Sequence, residues 1–390
     1  MDNIKTMFKQ NIRQYGMFIA FVFIMIFFQF LTGGVLLKPL NVSNLIMQNS
    51  YVLILAIGML LTILTGYIDL SVGSVAGFIG AISAVFIIQM NMPVWLAIII
   101  SLAVGALIGA WQGFWIAYIR IPAFIVTLAG MLIFRGLTMV ILQGQTLAPF
   151  PASYTGVSSG FIPDFIGSAL GVSEINLLTI LVGIIASVMY VFSELRSRKE
   201  KQKYKFDVPS MPFFIAKIAV VVFVINLFTY WLNLYKGIPS VLVLLGALIL
   251  IYSFITSKTI AGRHIYAFGG NEKAAKLSGV KTNRVFFWVY VNMGVLAAVA
   301  GIVFAGRLNA ATPKAGVNFE LDAIAACYIG GASASGGIGT VFGCIVGGLI
   351  MGVLNNGMSI MGISVDWQQT IKGFVLLAAV AFDVFTKKKK

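Results

Sequence analysis

Apolar runs long enough to cross a lipid bilayer recur along almost the whole chain, and no other feature constrains its fold as much. Residues 16–37, 45–65, 72–88, 93–119, 123–142, 175–192, 213–234, 241–255, 285–305, 340–361 and 371–385 are such runs. About 20 apolar residues in a helix cross the hydrocarbon layer. Residues 321–329 are apolar but too short to cross. Hydrophobic residues make up 59% of the chain and charged residues 10%, more apolar surface than one soluble core absorbs. The expectation is an all-α, polytopic transmembrane helical bundle of about 10–12 spans. It forms a single transmembrane domain over residues 1–390. No small-residue cleavage site follows the first run, so it reads as a retained span.

The net charge of +15 is clustered. Lys5, Lys9 and Arg13 precede the first run. Arg196, Arg198, Lys199, Lys201, Lys203 and Lys205 form a second group, residues 258–284 hold a third, and Lys387 to Lys390 close the chain. Their spacing puts them on one side of the membrane, and the positive-inside rule makes that side cytoplasmic, with both termini there. The long segment 143–174 has Pro149, Pro151 and Pro163 but few positive charges, which fits the outer face. Asp164, Glu174, Glu320, Asp322 and Asp366 fall in segments assigned outside. Topology, with attraction to anionic membrane lipid, accounts for the charge without nucleic acid.

Residues 258–284, KTIAGRHIYAFGGNEKAAKLSGVKTNR, are the one polar segment that looks built rather than merely solvated. Gly269, Gly270 and Asn271 suggest a turn ending in an N-cap residue. Glu272 suits the positive end of a helix dipole, and Gly279 is placed to end the helix. Ala274, Ala275 and Leu277 give it an apolar side. A short cytoplasmic helix between spans is something a motor protein can grip. Gly262 and Arg263 belong to the same candidate coupling loop; the other reading is a basic loop that only orients the chain.

Two stretches carry the features of a transport path. TGYIDLSVG, residues 65–73, holds Asp69 and Ser71 between apolar runs, and an acid there needs a partner or water. GGASASGGIG, residues 330–339, holds Ser333 and Ser335 and breaks one helix from the next. The stretches align at Gly66 with Gly330, Ser71 with Ser335, Gly73 with Gly337 and Phe78 with Phe342. If that match is a two-fold repeat, each half has a broken helix near the membrane centre, as paired breaks in transporters do. Asn355 and Asn356 lie inside a span, where they line the path or hydrogen-bond neighbouring helices. Arg135 and Lys372 are expected to pair with Asp69, Glu320, Asp322 or Asp366 rather than to meet substrate. Trp95, Trp231 and Trp367 fit an interfacial belt, whereas Trp111 and Trp115 could stack on something inside.

The sequence calls for no metal or cofactor. His264 is the only histidine, and Cys327 and Cys344 sit in apolar, Gly-rich sequence with no ligand or disulfide spacing. No G-x-x-x-x-G-K-[ST] phosphate loop occurs, so energy for transport comes from elsewhere.

TGYIDLSVGS, IPAFIVTLAGMLIFRGLT, AGRHIYAFGGNEKAAKLSGV and ELDAIAACYIGGASASGGIGTVFG resemble signature segments of the permease subunits of bacterial monosaccharide ABC importers, the ribose, xylose and galactose group. The extra pair of runs across about 175–234, around the basic cluster, resembles the xylose and multiple-sugar permeases within that group. The resemblance implies a multi-pass protein of the bacterial cell membrane and a pore built with a second permease copy. It also implies an extracytoplasmic sugar-binding protein that delivers substrate. Cytoplasmic ATPase subunits would dock on residues 269–279, which are similar to an E-A-A-x-x-x-G coupling pattern with Lys273 inserted after the glutamate. The competing function is an ion-coupled secondary transporter. It would need carboxylates deep in the spans, and Asp69 is the one strong candidate. A non-transporting scaffold would not need two glycine-rich breaks.

Overall fold

A computed structural model describes residues 12–172, 175–206 and 208–388. Lys5, Lys9, Glu174, Lys389 and Lys390, used above as charge markers, lie outside them. The described residues form helices α1 (Ile12–Leu31), α2 (Pro39–Leu64), α3 (Val72–Ala84, continuing as a π-helical stretch Val85–Gln89), α4 (Val94–Ala117) and α5 (Ala123–Leu142). Next come α6 (Ala152–Ser159), α7 (Phe165–Leu170), α8 (Leu177–Lys203), α9 (Met211–Asn233), α10 (Ser240–Lys258), α11 (Ile260–Gly270) and α12 (Glu272–Leu277). The last four are α13 (Thr282–Leu308), α14 (Phe319–Ile329), α15 (Val341–Ile360) and α16 (Val365–Lys388). No strand forms among the described residues.

Among those residues, nine helices are long and apolar enough to cross a bilayer: α2, α3 with its extension, α4, α5, α8, α9, α10, α13 and α15. The polytopic helical bundle expected from the apolar runs is therefore present. The difference from about 10–12 spans lies at the chain's ends. There α1 has 20 residues and α16 has 24, and both run to the limits of the described residues, so neither is among the nine. α14, with 11 residues, is as short as its apolar run suggests.

Two segments read as loops are helical. The basic cluster after residue 192 continues α8 to Lys203, where Arg196 and Glu200 pair at one-turn spacing. Gly269 and Gly270 do not form a turn. α11 runs through both, and the chain breaks at Asn271 alone, with φ −164° and ψ 103°. Both glycines take ordinary helical backbone angles, so at Gly269 it is the missing side chain that matters, as described below.

The chain divides into two compact units. The smaller comprises Leu37–Asn44 and Gly160–Ser240. In it α8 and α9 pack as a helical hairpin, with Gly183 against Thr229 and Asn226 donating to Ser187 at 2.8 Å. Asp164 joins α7 to α8 by accepting N–H bonds from Gly167, Leu177 and Leu178. Most of α9 is exposed, and its Val and Phe side chains suit contact with lipid tails.

The larger unit holds Leu45–Ser159, Val241–Lys390 and the first helix. Its centre is α13 against α4 and α3. A Cβ on Gly294 would lie 2.2 Å from the Gly105 carbonyl oxygen, one on Gly109 2.3 Å from that of Tyr290, and one on Gly301 2.2 Å from that of Ala76. Lipid tails are as apolar as leucine, so spans associate through close backbone packing and hydrogen bonds, which small residues permit. α2 from Leu45 and most of α15 are buried in the same unit.

Candidate functional site

The site is built around the end of α11. Thr259 starts this helix, its hydroxyl accepting from Gly262 N at 3.2 Å. Gly262 lets α11 turn tightly off α10, because a Cβ there would sit 2.3 Å from the Ile255 carbonyl oxygen. Arg263 is exposed. Asn271 ends α11 and begins α12, its side chain accepting from Ala274 N at 2.9 Å. Gly279 follows α12 at φ +86°, the left-handed position anticipated for it. Ala275 is buried, whereas Ala274, Lys273 and Lys276 are exposed and Leu277 is 90% exposed. Glu272 pairs with Arg120 at 3.2 Å, and Arg120 also donates to Asn283 at 2.5 Å. These bonds tie α12 to the α4–α5 corner and to the start of α13.

At Gly269 this segment meets both glycine-rich stretches. A Cβ on Gly269 would lie 1.6 Å from the Leu64 carbonyl oxygen, at the end of α2, and 2.7 Å from Gly337 N. Gly337 N donates to that same Leu64 oxygen at 2.9 Å. A Cβ on Gly336 would sit 2.9 Å from the Gly269 oxygen and 3.0 Å from Gly66 N. The Tyr266 hydroxyl donates to the Gly339 carbonyl at 2.6 Å. Three chain segments thus touch backbone to backbone. α2 runs unbroken over 26 residues, so its break lies at the end of that helix, next to α11, and not within its length. The two breaks share a helix–loop–helix order, but α14 is less than half as long as α2.

Each break is closed by its own polar groups. Asp69 Oδ1 accepts from Ser71 N at 2.8 Å and from Ser71 Oγ at 2.6 Å, an Asx-type turn that starts α3. Gln112 of α4 donates to Ser71 Oγ at 2.7 Å. Asp69 is 2% exposed, and burial pushes its carboxyl up to about 6 against the pull of the Ser71 bonds. In the other break Ser333 N donates to Ile338 O at 2.8 Å, and the Ser333 and Ser335 hydroxyls lie 3.0 Å apart. Gly336 and Gly337 take φ of +79° and +71°, which glycine adopts at little cost.

The remaining polar candidates separate. Asn356 is buried and its amide meets Gln48 of α2 at 3.4 Å, a contact between helices. The neighbouring Asn355 points elsewhere, and its Oδ1 is buried without a partner among the described residues. Lys372 pairs with Asp322 at 2.9 Å. Arg135 makes no ion pair among the described residues and acts on Glu320 only at longer range, so it does not hold Asp69. Trp111 packs edge-on to Phe134, and Trp115 to Phe114. No group of metal-binding side chains occurs among the described residues. Gln112 and Arg120 were not singled out from the sequence. A lone glutamine between Gly109 and Gly113 in an apolar run was the available signal for the first.

Residues 41–380 match the family model described as branched-chain amino acid transport system / permease component. The chain is 40% identical over 379 residues to the xylose transport system permease protein XylH of Haemophilus influenzae, covering 97% of this chain and 98% of that protein. It is 38% identical to XylH of Escherichia coli K12, covering 97% and 93%. It is 35% identical over 344 residues to the ribose import permease protein RbsC of the same strain, covering 88% and 85%. No solved structure matches the chain.

Proposed function

We propose, from the premise that this chain belongs to the family of branched-chain amino acid transport system permease components, that it is the membrane-spanning subunit of an ATP-driven importer of xylose or a closely related monosaccharide. It is a multi-pass membrane permease by family and by the nine long apolar helices among its described residues. In this reading the bacterial cell membrane holds it with both termini inside, and two copies form the pore. ATPase subunits grip the exposed face of α12 from the cytoplasm, and an external binding protein delivers the sugar. The extra pair α8–α9 and the coupling segment 258–284 are parts of one permease domain.

One observation carries this reading. The end of α11, midway along the basic segment, is seated without a gap on the carbonyl that ends α2 and on the glycine loop after α14. A loop that merely oriented the chain would need no such contact. A displacement of α12 by an ATPase is transmitted through α11 to both breaks, because close-packed backbone has no room to absorb it. Reconstitution of the permease with its ATPase and binding protein tests the proposal. ATP hydrolysis stimulated by xylose-loaded binding protein and coupled to uptake is the expected result. Uptake driven by an ion gradient without ATP would refute it.

A further inference from the structure

The larger unit contains a cavity of about 250 Å³ that the coupling junction does not explain. It lies among the start of α14, the start of α16, α15 at Asn355 and α2 at Tyr51. Asn355 is fourteen positions after Val341 in α15, about 21 Å along the axis at 1.5 Å per residue. Because α15 starts just after the Gly339 contact, the cavity belongs to the end of the unit away from the basic segment. With that segment cytoplasmic, this end faces outward.

Its lining is chemically mixed in a particular way. Lys372 and Asp322 form a largely buried ion pair in the wall. Gln368 and Gln369 add amides. Asn355 contributes the buried carbonyl oxygen that lacks a partner. Leaving such an acceptor unsatisfied costs about 1–3 kcal/mol, and an ion pair at membrane depth is costly enough to mark a functional position. Beside them Tyr51 lies against Phe319 with ring centroids 4.2 Å apart, giving the cavity an aromatic flank.

We infer that this cavity is a resting site for a monosaccharide on its way inward, with the Asn355 side-chain amide as one of its polar contacts. The combination fits a polyhydroxylated ring. Sugar hydroxyls bond to the Asn355 amide and donate to Asp322, hydroxyl oxygens accept from Lys372 and the Gln369 amide, and the C–H face of the ring lies on the aromatic pair. Room for about eight waters at about 30 Å³ each is enough for one pentose and not for a long oligosaccharide. The site rests on the permease reading above, and adds that the permease itself holds the sugar.

Asn355→Leu tests it, because leucine has the same branching and removes the polar amide from the lining. A purely structural Asn355 would tolerate it. The permease, ATPase and binding protein are reconstituted in liposomes, and xylose moved per ATP hydrolysed is measured. The expected result is about a tenfold fall in that ratio, the loss of one well-formed hydrogen bond, while hydrolysis stimulated by xylose-loaded binding protein is retained. An unchanged ratio overturns the inference. Should Asn355→Leu fail to assemble, the exposed Gln369→Ala takes its place with the same two outcomes. Absence of sugar-stimulated hydrolysis in the unmodified complex would overturn the permease reading and this site with it.

Discussion

Replacing Gly269 by alanine isolates the contact between the basic segment and the bundle. Gly269 has helical backbone angles in α11, so alanine is favoured locally by about 1 kcal/mol. The added methyl, however, would sit 1.6 Å from the Leu64 carbonyl oxygen. The obstacle is backbone, so no rotamer change relieves it. Overpacking of this kind costs about 1–3 kcal/mol, and separating Gly337 N from the Leu64 oxygen forfeits about 1 kcal/mol more. The net loss is about 1–3 kcal/mol, too small to unfold the bundle but large enough to open the junction. In the reconstituted complex, basal ATP hydrolysis should persist while stimulation by sugar-loaded binding protein and uptake fall together. Gly270→Ala is the control, since a Cβ there meets nothing within 4 Å. Full coupling in Gly269→Ala, at unchanged thermal stability, would show that this contact transmits nothing.

Other variants address neighbouring parts. Glu272→Lys breaks an exposed pair with Arg120, so its stability should change by less than about 1 kcal/mol in a thermal melt, while co-purification of the ATPase drops. The pH dependence of stability should reveal Asp69. Its folded carboxyl titrates near 6, above its unfolded value of about 3.9, so the folded state holds the extra proton between those values. Stability contributed by this group therefore falls as pH rises from about 4 to 6, and Asp69→Asn should melt higher than the unmodified protein at pH 7 with the turn intact. A lower melting temperature for Asp69→Asn at pH 7 would contradict that sign. Single cysteines at the exposed positions Ser168 and Gln202, on either side of the α8 span, should react with an impermeant reagent from opposite faces, Ser168 from outside. Cys327 and Cys344 are buried and should stay silent.

The spans were legible because bilayer crossing depends on a local property, the length of an apolar run. The Asn271 cap and the Gly279 terminator were legible for the same reason, since each bonds within its own turn. The junction was not. Leu64, Gly269 and Gly337 are far apart in sequence, and nothing in their types says that they touch. The glycine pair at 269–270 was misread as a turn because a glycine needed for close approach and one needed for φ > 0 look alike in sequence. Asn355 and Asn356 could not be told apart either. One step along a helix turns a side chain by about 100°, enough to set one against Gln48 of α2 and the other at the cavity wall.

Leu277 bears on assembly rather than transport. Its large apolar side chain follows Lys276 at the end of a six-residue helix and is 90% exposed. If an ATPase docks on α12 as proposed above, an orphan subunit displays Leu277 and a completed complex hides it. On that reading, assembly is reported at this one side chain before any sugar has been moved.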